Sequence, residues 1–147
     1  MRTLLDYLAT DHRACDNTLA RADAAVGDAD WDRAGTAFED FRATVLTHLA
    51  REEAILFPAF EAYTANSLGP TEVMRMEHRQ MRALVQEMAR TLADRDRSRY
   101  LRLSKMFNAL MRHHNLKEED MLFPMFDRML GDDRDALVAA MRAVDIA

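Results

Sequence analysis

A thirteen-residue segment occurs twice in this chain, 66 positions apart, and this repeat constrains the fold more than any other feature. His48-Leu49-Ala50-Arg51-Glu52-Glu53-Ala54-Ile55-Leu56-Phe57-Pro58-Ala59-Phe60 returns as His114-Asn115-Leu116-Lys117-Glu118-Glu119-Asp120-Met121-Leu122-Phe123-Pro124-Met125-Phe126. The same shift carries Asp11-His12-Arg13 onto Glu77-His78-Arg79, and in each half the first histidine precedes the second by 36 residues. Four of the five histidines and both Glu-Glu doublets therefore obey one translation. Two copies at so long a period describe a duplicated helical hairpin, about residues 3–63 and 71–130, rather than a solenoid.

The residues between the motifs favour helix. Only 4 Gly and 3 Pro interrupt long stretches of Ala, Leu, Met, Arg and Glu, which are good helix formers. In Leu4–Val26 the residues Leu4, Leu5, Leu8, Cys15, Leu19, Ala22 and Val26 recur at helical spacing, and Thr3 with Asp6 can cap the start. Gly27-Asp28-Ala29-Asp30 breaks this pattern, with either aspartate able to cap a second helix from about Trp31 to Tyr63. Thr64–Gly69 reads as a loop, and Pro70 suits the first turn of a third helix over Thr71–Ala93. A short charged connection, with Ser98 as cap, leads to a fourth helix from Arg99 to Leu130, stopped by Gly131. A short fifth helix follows over Asp132–Val144. Short connections make neighbouring helices antiparallel. The expected fold is all-α, a single domain over residues 1–147 forming an up-down-up-down antiparallel four-helix bundle with a short C-terminal fifth helix.

Composition removes several classes of function. A formal charge of −5 argues against a nucleic-acid partner. A single cysteine, Cys15, excludes an intramolecular disulfide and a cysteine-built zinc cage. No apolar run has the length of a membrane span, and Met1–Asp11 lacks the form of a signal peptide. A reducing cytoplasmic compartment and no membrane partner are the resulting expectations.

Helix geometry converges the repeated histidines. About 15 residues, roughly 22 Å of helix, separate His78 from the end of its helix, and a similar length separates the next helix start from His114. Antiparallel packing then puts both at one depth, with His12 and His48 in approximate agreement. Glu52 and Glu118 each follow a histidine by four residues, one turn away on the same face. Four imidazoles meeting in an apolar core would be costly unless partnered, and protonated ones would repel. A bound metal resolves both problems, with His12, His48, Glu52, His78, His114 and Glu118 as its ligands.

The other residues read more plainly. Glu53 and Glu119, five residues after their histidines, suit outer-shell or salt-bridge roles, with Glu119 the alternative to Glu118. His113 falls outside the repeat register and has Lys117 at i+4, which places it on the surface or outside the ligand set. Phe57, Phe60, Phe123 and Phe126 pack the core beyond the ligands. Pro58 and Pro124 each remove an amide donor and should bend or loosen their helices. Met74, Met76 and Met81 read as core packing near His78. Cys15 corresponds to Met81 in the repeat, which favours a buried apolar role over a redox one.

With these motifs the chain resembles the hemerythrin-like, or HHE cation-binding, family over roughly residues 3 to 130. The resemblance implies two iron ions joined by an oxo or hydroxo bridge, His12 and His48 serving one ion, His78 and His114 the other, and Glu52 and Glu118 bridging both. Imidazole and carboxylate donors suit iron, with manganese or zinc as alternatives. Oxygen-carrying hemerythrins have a further histidine four residues after the third ligand histidine, where this chain has Arg82. It therefore looks like the four-histidine, two-glutamate branch, and simple oxygen carriage is disfavoured. The implied role is a non-haem di-iron protein that binds or reacts with O2, NO or peroxide in stress response or sensing. The alternatives are an iron-handling protein supplying repair of damaged iron–sulfur centres, and a reversible O2 binder. Whether the chain turns over a substrate, and its oligomeric state, are left open by the sequence.

Overall fold

A computed structural model describes residues 3–64 and 69–144. All regular structure among these residues is helical, without a strand. Four long helices carry the fold: α1 (Leu4–Gly27), α2 (Trp31–Arg51), α4 (Pro70–Ala93) and α5 (Arg97–Lys117). Two shorter helices, α3 (Phe57–Thr64) and α6 (Phe123–Leu130), extend α2 and α5, and α7 (Arg134–Arg142) closes the chain. Most of the loop expected over Thr64–Gly69 lies outside the described residues. Among those described, no helix is long and apolar enough to cross a membrane.

The helix starts follow from local chemistry. Thr3 and Asp6 form the expected reciprocal box, the Thr3 hydroxyl accepting the Asp6 amide at 3.0 Å and the Asp6 carboxylate accepting the Thr3 amide at 3.2 Å. Asp127, far along the chain, accepts the free amides of Leu4 and Leu5 at 2.7 and 3.2 Å and so ties α6 to the start of α1. Asp30 caps α2 through the Arg33 amide. The cap of α5 is Asp96, which accepts the Arg99 amide at 3.1 Å, so the helix starts at Arg97 and not after Ser98. Gly131 has φ −58 and does not stop the helix in a left-handed conformation; the chain passes through a 3-10 turn, Gly131–Asp133, into α7.

The repeat extends into the connections. Asp28-Ala29-Asp30 and Asp94-Arg95-Asp96 make matching hydrogen bonds, and Ala29 and Arg95 both sit at φ 53. A side chain in this left-handed region costs roughly 1–2 kcal/mol, which glycine avoids at some entropic cost in the unfolded chain. Arg95 is exposed, so Arg95→Gly should stabilise by about 0.5–1 kcal/mol, raising the thermal midpoint by ~1–4 °C. A lowered midpoint in a calorimetric scan would contradict this.

The largest departure from expectation lies within the second and fourth helices. Each contains a π-helical turn, Glu52–Leu56 and Glu118–Leu122, closed by the Phe57 amide on the Glu52 carbonyl and the Phe123 amide on the Glu118 carbonyl. Pro58 and Pro124 follow at once. A proline ring clashes with the carbonyl four residues back and supplies no amide; one extra residue in the preceding turn relieves this without breaking the helix. The extra residue rotates everything downstream by about 100° relative to a continuous α-helix, which alters the face that α3 and α6 present.

Two apolar clusters result. One gathers Leu19, Val26, Phe38, Phe41, Val45, Tyr100 and Phe107 along the long helices, with Cys15, Leu49, Met81 and Met111 among its members. The other joins Leu4, Leu8, Leu56, Phe57, Phe60, Met74, Leu122, Phe123 and Phe126, with Met141 of α7. In sequence, His12, His78 and His114 each fall between a member of one cluster and a member of the other, and His48 lies at the end of the α2 stretch that belongs to the first. Met76, by contrast, is 46% exposed and takes no part in this packing.

Candidate metal centre

His12 comes from α1, His48 from the end of α2, His78 from α4 and His114 from the end of α5. Glu52 and Glu118 open the two π turns. All six side chains are buried, none more than 2% exposed. They form two four-residue groups whose donor atoms lie within 4.8 Å of one another: His12, His48, Glu52 and Glu118, and Glu52, His78, His114 and Glu118. The two carboxylates belong to both groups.

Each ring turns its Nε2 towards this carboxylate pair. His12 Nε2 lies 3.0 Å from Glu118 and His78 Nε2 2.9 Å from Glu52, while His114 and His48 stand 3.3 and 3.7 Å from Glu118 and Glu52. Donors bound about 2.0–2.2 Å from a shared ion sit roughly 3–4 Å apart. Buried polar atoms are normally partnered. Yet Nε2 of His48, His78 and His114, both Glu52 oxygens and Glu118 Oε2 all lack a hydrogen-bond partner. Orphan nitrogens and oxygens concentrated at one point are the signature of a site whose remaining partner is a cation, and the donor set suits iron, zinc or manganese.

The opposite ring nitrogens are equally ordered. His12 Nδ1 contacts Glu119 at 2.7 Å, His48 Nδ1 contacts Asp11 at 3.1 Å, His78 Nδ1 contacts Glu53 at 2.6 Å and His114 Nδ1 contacts Glu77 at 2.7 Å. A carboxylate behind each imidazole places the proton on Nδ1, frees Nε2 for a metal and fixes the ring plane. Cations hold three of these carboxylates in turn. Arg51 reaches Asp11 at 2.8 and 2.9 Å, Lys117 reaches Glu77 at 2.5 Å, and Arg82 grips Glu53 with both arms at 2.6 and 2.9 Å. Arg51 also donates to the Met141 carbonyl at 3.0 Å, which docks α7 over the His48 side.

The electrostatics follow from these contacts. Burial opposes ionisation of Glu53, but hydrogen bonds from His78 and Arg82 overcome it and hold the carboxyl at about 2. Burial opposes ionisation of Glu52 too, yet the His48 charge and the close approach of Glu118, His114 and His78 keep it well below the usual range. Cys15 lies buried in the first cluster, and burial pushes its thiol up, out of the range of a reactive thiolate. Apolar rings cover two of the imidazoles: Phe57 stacks on His78 and Phe123 tilts over His12, both at 5.6 Å between centroids.

The structure thus brings all six sequence-selected residues together. Glu119 lies behind the His12 ring and outside both donor groups, and His113 is exposed. Asp11 and Glu77 carry no role in the sequence reading, although the repeat places them in register with Arg51 and Lys117, and that shared offset is the signal for them. In the sequence Arg82 stands out only as the absence of a histidine, and the repeat gives no hint of its grip on Glu53, because its counterpart is Asp16.

In a comparison with protein families, residues 3–126 match the Hemerythrin HHE cation binding domain. No curated protein and no solved structure matches the chain.

Proposed function

The chain belongs to the hemerythrin HHE cation-binding family, and from that premise we propose that it is a non-haem di-iron protein that binds or reacts with O2, NO or peroxide. The observation that carries the reading is the pair of four-donor groups sharing Glu52 and Glu118, with their unpartnered inward atoms. His12 and His48 would hold one ion, His78 and His114 the other, and both glutamates would span the two. We read the chain as one domain of two helical hairpins running up-down-up-down in antiparallel order, which its three-residue connections after α1 and α4 support. A reducing, cytoplasmic setting suits the lone buried Cys15.

Bound iron would supply a redox-active Lewis acid. The protein's own contribution is to orient it and to keep the site dry. Four carboxylates fix the imidazole rings, and Phe57 and Phe123 cover them on the side of the second cluster. Arg82 is committed to Glu53, so each group offers the same donors, two imidazoles and two shared carboxylates. That equality separates this site from oxygen carriers with an added histidine at the position of Arg82. An apolar groove of about 540 Å³ between α4 and α6 includes Val73, Met74, Met121 and Leu122 in its lining. Met74 and Leu122 each lie four residues from a candidate ligand, giving an uncharged diatomic an apolar approach.

The test is iron-loaded, reduced protein exposed separately to O2, NO and peroxide while optical spectra are followed. A spectral change with at least one ligand is expected. Return to the starting spectrum on removing O2 would point to reversible binding, and consumption of ligand beyond one equivalent per site to turnover. No change with any of the three would refute the proposal.

A further inference from the structure

The two halves of the site place matching groups behind and over their histidines until one position. Asp11 with Arg51 behind His48 matches Glu77 with Lys117 behind His114, and Phe57 over His78 matches Phe123 over His12. Glu53 behind His78 matches Glu119 behind His12. Arg82, which clamps Glu53, matches Asp16. Among the described residues no lysine or arginine contacts Glu119, whose one ion-pair contact is the His12 ring. Asp16 instead lies close enough for like-charge repulsion with it, and the nearby Arg112 acts on Asp16. Glu119 is also the most open of the four outer carboxylates, its side chain 38% exposed against 24% for Glu53, 17% for Asp11 and 10% for Glu77.

We propose that the His12 corner is the exchange door of the metal centre: the ion held by His12 and His48 enters and leaves faster than the ion held by His78 and His114. The inference rests on the two-ion reading above. Loss of an outer partner of a metal-bound histidine typically costs 10–100-fold in affinity, because the ring must be re-oriented each time it engages the ion. A carboxylate without a clamp gives part of that loss. Its uncompensated charge works the other way, making His12 a better donor, but Glu119 faces water, which screens that charge. Positioning therefore outweighs basicity, and the expected difference in release rate is about tenfold.

The repeat itself supplies the test. Anaerobic protein loaded with iron(II) is mixed with excess chromogenic chelator, and release is followed by stopped flow. Two phases of equal amplitude, about tenfold apart, are expected. Asp16→Arg, at an exposed position, installs the missing clamp and should slow the fast phase towards the slow one. A bystander positive charge would do the opposite, because it repels the cation. Arg82→Asp should accelerate the slow phase, and Arg82→Lys, which keeps the charge but loses the two-armed grip, should do so less. A single phase releasing two ions, or a fast phase that Asp16→Arg leaves unchanged or quickens, overturns the proposal while leaving the two-ion site intact. Fewer than two iron ions bound per chain overturns the two-ion reading, and this inference with it.

Discussion

Iron loading is expected to raise the thermal unfolding midpoint of this chain by roughly 15–30 °C. A ligand at a thousand times its dissociation constant stabilises the folded state by about 4 kcal/mol per site, and each kcal/mol moves the midpoint of a chain this size by about 2–4 °C. The gap should also widen with pH. In the metal-free protein, burial works to depress the His12 imidazole, but the hydrogen bond and charge of Glu118, followed by the charge of Glu52, lift it to about 9. Against the same burial, the charge and close approach of Glu118 lift His114 to about 11. Both values lie above the ordinary 6.5. Protonation therefore stabilises the folded metal-free state fully below about pH 6.5, and that contribution is lost as pH rises through 9 and then 11. Iron takes the place of those protons, so its affinity rises across the same range. Calorimetry at pH 6.5 and 8.5, with iron and with chelator, should show the metal-free midpoint falling with pH and the loaded one falling less. A midpoint indifferent to iron at both values would show that the cluster holds no ion.

Glu52→Ala is expected to abolish binding of both ions, whereas His12→Ala should leave one. The difference follows from membership: Glu52 belongs to both donor groups and His12 to one. Removing a direct donor should exceed the 10–100-fold loss that follows removal of an outer partner. Glu52→Ala should then bind less than one iron per chain at concentrations that fill the wild type, and His12→Ala close to one. Metal analysis after anaerobic loading and desalting reads this directly. Glu119→Gln separates the outer role from the inner one, because it should weaken binding while leaving two ions at saturation. Equal stoichiometry for Glu52→Ala and His12→Ala would refute the shared-carboxylate arrangement.

Much of this protein is legible in its sequence. The helices follow from apolar spacing and scarce glycine and proline, and the caps at Thr3 and Asp30 act as their chemistry requires. The six inward residues were legible because duplication turns one weak His-x-x-x-Glu motif into two in register. Single-residue reasoning failed where the deciding partner lies elsewhere in the fold. Ser98 is as good a cap as Asp96 by propensity, and only the backbone path through Arg95 at φ 53 selects the aspartate. Pro58 and Pro124 predict a distortion, but that a π turn rather than a kink accommodates each is seen only in the backbone hydrogen bonds.

The sequence by itself determined that this chain is helical, that one segment recurs at a 66-residue offset and that four histidines and two glutamates share that translation, because local periodicity and repetition are written in order along the chain. Only the tertiary structure decided which atoms face which. It set every Nε2 towards Glu52 and Glu118 and a carboxylate behind every Nδ1, and it paired Arg82 with Glu53 while leaving Glu119 without a clamp. The outer carboxylates and the Arg82 clamp join residues 25 to 107 positions apart. Pairing over such distances is fixed by helix packing, which no local pattern encodes.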